Sequence, residues 1–100
     1  MKAARPFTHK DVDRRMLRLV KACIVRIERD PKLLDRARIQ AGRYSNTPLR
    51  LEWQRLLSLP WPKLRTILEE ESNQGDRIRQ SVPFGGFLSN EKRMRILKSS

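Results

Sequence analysis

The chain has 100 residues, 23 of them Lys or Arg against 11 Asp or Glu, for a formal net charge of +12. This length suits one domain with a modest core and is too short for a buried two-lobed cleft. With 38% hydrophobic and 34% charged residues, the composition is that of a soluble, ordered protein rather than a disordered tail.

Further classes are excluded by pattern. No apolar run approaches the roughly 18 to 20 residues that a membrane span needs. The opening MKAARPFTHK has basic residues but no apolar stretch after them, so no secretory signal is expected. A single cysteine, Cys23, excludes an intramolecular disulfide and is expected to be a buried, inert thiol. A cytoplasmic location follows as the expectation. The charge is uneven: residues 1–50 hold 14 basic and 5 acidic side chains, net +9, whereas residues 51–100 hold 9 and 6, net +3. Such an excess attracts polyanions, whether nucleic acid or an acidic protein, and by itself says nothing of specificity.

In chain order, Thr8 followed by Asp11 resembles a capping box with Asp in the acidic place. Val12, Met16, Leu19, Val20, Cys23, Ile24 and Ile27 then recur at three- and four-residue spacing, which predicts an amphipathic helix over about 9–29. Its opposite side carries Arg14, Arg15, Arg18, Lys21 and Arg29, with Arg14, Arg18 and Lys21 in one row at i, i+4, i+7. Asp30-Pro31 reads as a stop and a restart, Asp as N-cap and Pro at the first helical position. The second helix runs to about Arg43 on a stripe of Leu33, Leu34, Ala37 and Ala41, with Tyr44 beside it.

Ser45-Asn46-Thr47-Pro48 starts a third helix, to about Ser58, with Leu49, Trp53, Leu56 and Leu57 on one side. Pro60 and Pro62 cannot both lie within one helix, so a fourth begins near Pro62 and ends near Glu71, its inner face Leu64, Ile67 and Leu68. Trp61 is placed to cover the gap between the two. Glu69, Glu70 and Glu71 crowd a C-terminal turn, where the helix dipole disfavours carboxylates, and a basic group is expected to offset them. A short helix over about Asp76–Gln80 and a last one after Ser89-Asn90, with Met94 and Leu97 inward, complete the chain. The prediction is a single all-α domain, a compact bundle of five or six helices with one Pro/Gly-containing loop near the C-terminus. Residues 1–7 are expected to be disordered and 99–100 frayed.

Catalysis is poorly provisioned. One histidine, His9, and one cysteine cannot make the usual zinc sites, and no nucleophile elbow, phosphate-binding glycine loop or paired-His motif occurs. The three consecutive glutamates point apart around a helix and do not converge as an acid/base pair. No enzyme, metal or cofactor is expected. The row Arg14, Arg15, Arg18 and Lys21 suits contact with the phosphates of DNA or RNA, and equally suits a solvated helix face. Helices three and four also read as a helix-turn-helix pair, against which stand the glutamates and the proline-rich turn. The apolar face of helix one is generous enough for a homodimer, or is simply core.

The segment from Arg77 to Ser89, RIRQSVPFGGFLS, is the other candidate. Gly85-Gly86 permits a sharp bend. Either Phe84 and Phe87 plug the helical core, or the segment is a recognition arm. In the second reading Arg77, Arg79, Gln80 and Ser81 face a partner, with Pro83, Phe84 and Phe87 as anchors.

The stretch from Leu51 to Leu97 resembles a family of short, mostly uncharacterised bacterial helical proteins. They share a tryptophan-centred helix like Glu52-Trp53, a helix ending in acidic residues, and an Arg-Gln-Ser-x-Pro-Phe signature, here Arg79 to Phe84. RIERDPKLLDRAR resembles the family's N-terminal part, so the similarity covers about residues 24 to 97. The association of such proteins with toxin genes and mobile elements implies an antitoxin-like role and an acidic protein partner, a toxin. Arg77 and Arg79 are then expected to pair bidentately with its carboxylates. The alternative expectation is a standalone nucleic-acid-binding protein using the basic face of helix one.

Overall fold

Six helices and no strand make up the described residues, 9–98 of the computed structural model: α1 (His9–Arg29), α2 (Leu33–Gly42), α3 (Thr47–Leu56), α4 (Trp61–Glu69), α5 (Asn73–Arg79) and α6 (Asn90–Lys98). The all-α bundle expected from the periodicities is the fold observed. The Thr8 cap and the ends, 1–7 and 99–100, lie outside the described residues.

Local chemistry explains most boundaries. Asn46 accepts the Leu49 amide at 2.9 Å ahead of Pro48, which starts α3. Ser72 Oγ accepts the Gly75 amide at 3.1 Å to start α5, and Ser89 Oγ accepts the Lys92 amide at 3.1 Å at the head of α6. Each cap satisfies a donor that helical bonding leaves orphaned. Asp30 caps the restart as expected, its side chain accepting the Lys32 amide at 3.3 Å, but Pro31 is not the first residue of the helix. Pro31 and Lys32 form a turn, with the Leu33 and Leu34 amides bonded to the Asp30 and Pro31 carbonyls, and α2 proper begins at Leu33.

The core gathers Val20, Ile24 and Ile27 of α1, Leu33, Ala37 and Ala41 of α2, and Trp53, Leu56 and Leu57 at α3. Leu64 and Leu68 of α4 and Ile78 of α5 join them. Burial of each large apolar side chain stabilises by about 1.5–3 kcal/mol. The apolar face of α1 is used unevenly: its C-terminal half is buried, while Met16 and Leu19 are half-buried and Val12 is 44% exposed. Met94, expected inward, is 50% exposed, because α6 rests on α1 through half-buried Ile96 and Leu97 and buries no residue fully. α4 and α5 pack along one flank of α1 and α6 along the other, leaving a long outer arc of α1 uncovered by helices.

Candidate functional site

The segment 77–89 packs its phenylalanines into the core and leaves Arg77, Gln80 and Gly85-Gly86 at the surface. Phe84 and Phe87 stack with centroids 5.1 Å apart, and Trp53 meets Phe84 edge-on at 6.4 Å. Trp53 donates from Nε1 to Ser81 Oγ at 2.9 Å, and the Tyr44 hydroxyl donates to the Ser81 carbonyl at 2.6 Å. The Gln40 side chain clasps Gly85 twice, donating to its carbonyl at 2.8 Å and accepting its amide at 3.0 Å. Gly86 has φ +82°, in the left-handed region that favours glycine. Arg36 lies over the outer side of Phe87, 5.7 Å from the ring centroid.

These contacts correct the recognition-arm reading. Pro83, Phe84 and Phe87 are buried core residues, and Ser81 is engaged by Trp53 and Tyr44. Arg79 is 1% exposed. It donates through Nη1 to the carbonyls of Leu68 and Glu70, at 2.9 and 2.7 Å, and through Nη2 to Asp76 at 2.5 Å. A guanidinium enclosed in this way cannot reach a second protein. It sits instead where the α4 dipole is negative, and it is the basic group that the glutamate cluster demands. Arg77 and Gln80 remain on the surface, and both are engaged. Arg77 grips Glu52 bidentately at 3.1 and 2.7 Å, and Gln80 donates to Asp13 at 3.3 Å. The Arg77 hydrogen bonds hold the Glu52 carboxyl below its ordinary pKa.

The basic row on α1 has the opposite fate. Arg14 and Lys21 are exposed, and Arg18 lies half-buried between them. Arg15 is half-buried on the same outer arc. Helical periodicity continues the row to exposed Arg29, about 22 Å from Arg14 at 1.5 Å per residue. Arg26 stands outside the row expected from spacing; it falls one arc over and is exposed, and its signal is the eleven-residue spacing from Arg15. Arg26 and Arg93 of α6 both bear on the Cys23 thiol, so the basic arc approaches α6 along that edge. Burial dominates that thiol and pushes its pKa to about 11, leaving it protonated and inert.

The carboxylates are drawn elsewhere. Glu28 and Glu69 take Arg65, Glu52 takes Arg77, Asp76 takes Arg79 and Asp35 takes Arg38. Among the described residues Arg14, Arg18, Lys21, Arg26 and Arg29 form no ion pair, and Nε and Nη2 of Arg18 are shielded from solvent without an acceptor. Two clefts border α1. One, about 270 Å³, lies against α5 and is lined by Asp13, Arg14, Glu71, Asp76 and Arg79. The other, about 190 Å³ and mostly apolar, lies between α1, the 82–88 loop and Arg93. No described cluster of three His, Cys, Asp or Glu side chains is placed to hold a metal, and no described helix is long and apolar enough to cross a membrane.

Comparison with protein-family models, with curated proteins and with solved structures returns no match.

Proposed function

We propose that this protein binds nucleic acid through the outer arc of α1, neutralising backbone phosphates with Arg14, Arg18, Lys21, Arg26 and Arg29. The observation that carries the reading is the division of charge. The carboxylates that form ion pairs are committed to Arg38, Arg65, Arg77 and Arg79, while Arg14, Arg18, Lys21, Arg26 and Arg29 form no ion pair among the described residues. An uncompensated basic strip raises the local concentration of a polyanion and supplies counterion-release affinity when phosphates dock. Charge reversal of Arg14, Arg18 and Lys21 together should abolish binding to a labelled oligonucleotide at 50 mM salt while the circular dichroism spectrum keeps its helical form. Undiminished binding by that variant overturns the assignment.

An antitoxin-like contact with a protein is the second reading. The apolar cleft beside Met16 and Leu19, with Val12 and Met94 exposed on the same two helices, favours it; the 77–89 segment does not. Affinity capture from cells at about 0.5 M salt, where the Debye length is about 4 Å, separates the two. Stoichiometric capture of one protein that survives nuclease supports the partner reading, and loss of all bound material supports the nucleic-acid reading.

A further inference from the structure

The chemistry of the α1 arc also selects among nucleic acids. We infer that it takes double-stranded nucleic acid by its backbone, in preference to single strands and without sequence selection. This inference rests on the nucleic-acid reading above.

Surfaces that hold single strands combine positive charge with rings on which bases stack, each stack worth about 1–3 kcal/mol. The α1 arc has the charge and lacks the rings. Among the described residues Trp53, Phe84 and Phe87 are buried in the core, half-buried Tyr44 is bonded to Ser81, and half-buried Trp61 is tied by its indole N–H to Glu28 at 3.1 Å, beside the arc rather than on it. The side chains lying between the α1 cations are Ala22 and Val25, which have no donor or acceptor for a base edge. Affinity therefore scales with phosphate density alone. A duplex presents one charge per about 1.7 Å of axis, about twice that of one of its strands at the same rise.

Sequence neutrality follows from what the arc carries. Asn and Gln pair with adenine edges, and Ser and Thr serve several bases; α1 from His9 to Arg29 has none of them. Its cations are spread along about 22 Å of helix with only alanine and valine between them, which suits backbone phosphates rather than a pattern of base edges.

Fluorescence anisotropy with two 20-bp DNA duplexes of unrelated sequence, and with each separated strand, tests this between 50 and 200 mM salt. The duplexes should bind about tenfold more tightly than their strands and within about threefold of each other, with a log K against log salt slope near −4 for four to five phosphates. Single strands binding as tightly as duplexes, or duplexes differing by about tenfold or more, would overturn this inference while leaving nucleic-acid binding in place. No binding of either form at 50 mM salt would overturn both.

Discussion

The Arg79 guanidinium closes the end of α4, with its Nη1 2.7 Å from the Glu70 carbonyl oxygen. That one contact joins two facts that the sequence leaves apart, an acidic helix terminus and a basic residue nine positions later. The enclosed cation binds backbone carbonyls that α4 leaves without helical partners and balances the negative end of its dipole. Arg79→Met keeps the bulk and removes the donors. It should cost about 3 kcal/mol, because hydrogen bonds from a buried charge are lost and the carbonyls are left unsatisfied. In a domain of this size the loss lowers Tm by more than about 10 °C. Thermal denaturation followed by circular dichroism reads it directly, and a change under about 3 °C would mean that solvent replaces the clamp.

Gly75 makes a separate claim at the same junction. A Cβ added there would overlap the Glu70 carbonyl oxygen, a backbone atom that cannot rotate away. Gly75→Ala should therefore destabilise, by about 2 kcal/mol or more, although alanine is the better helix former by about 1 kcal/mol. Gly42, with nothing near its Cβ position, is the internal control: Gly42→Ala should change the urea midpoint far less.

Trp53 and Ser81 form a pair that a double-mutant cycle can isolate. Ser81→Ala strands the indole N–H of a fully buried ring and should cost about 1–2 kcal/mol. Trp53→Phe loses both the donor and packing volume, about 3 kcal/mol. If the 2.9 Å bond carries the interaction, Ser81→Ala should add little in the Trp53→Phe background, leaving a coupling of about 1 kcal/mol in urea denaturation. Strict additivity would show that the Ser81 hydroxyl acts through another contact, its 3.3 Å bond to the Ile78 carbonyl.

These junctions also show what is legible in sequence. Asn46, Ser72 and Ser89 sit before helices because a short polar side chain can satisfy an orphan amide locally, so sequence reveals them. The spacing of Val20, Ile24 and Ile27 fixes the buried stripe of α1 for the same local reason. Polar residues beside phenylalanines suit a recognition surface, where one of the two readings of the sequence puts Arg79 and Ser81; the other, in which Phe84 and Phe87 plug the core, is the one their burial supports. The true partners of Arg79 and Ser81 are main-chain carbonyls and one indole 28 positions away, and contacts of that kind leave no periodic trace. The segment Arg79–Phe84 thus reads here as structural: Arg79 clamps α4, Ser81 holds Trp53, and Phe84 fills the core. The basic row of α1 is legible from spacing. That Arg14, Arg18 and Lys21 form no ion pair among the described residues is not, because Glu28 lies on the same helix and is drawn off by Arg65 at 2.5 Å.

Stability should fall at both ends of the pH scale for opposite reasons. Glu52 is held below its ordinary pKa of 4.5 by the hydrogen bonds from Arg77, so its contribution is complete above that value and is lost as pH drops through the depressed one. The pair is partly exposed, so solvent screens it and its share is small. At the alkaline end Cys23 has the greater effect. Burial keeps the thiol protonated to about 11 in the fold, against 9.0 when unfolded, so between these values the unfolded chain loses its proton first. The folded state is then disfavoured by about 1.4 kcal/mol per pH unit. Burial shifts Tyr44 the same way from 10.0, which adds to the decline above that pH. Urea midpoints measured from pH 8 to 10 should drop in the wild type and stay nearly level in Cys23→Ala, once its constant cavity penalty is subtracted. An identical slope in both proteins would show that the thiol ionises as readily in the fold as in water.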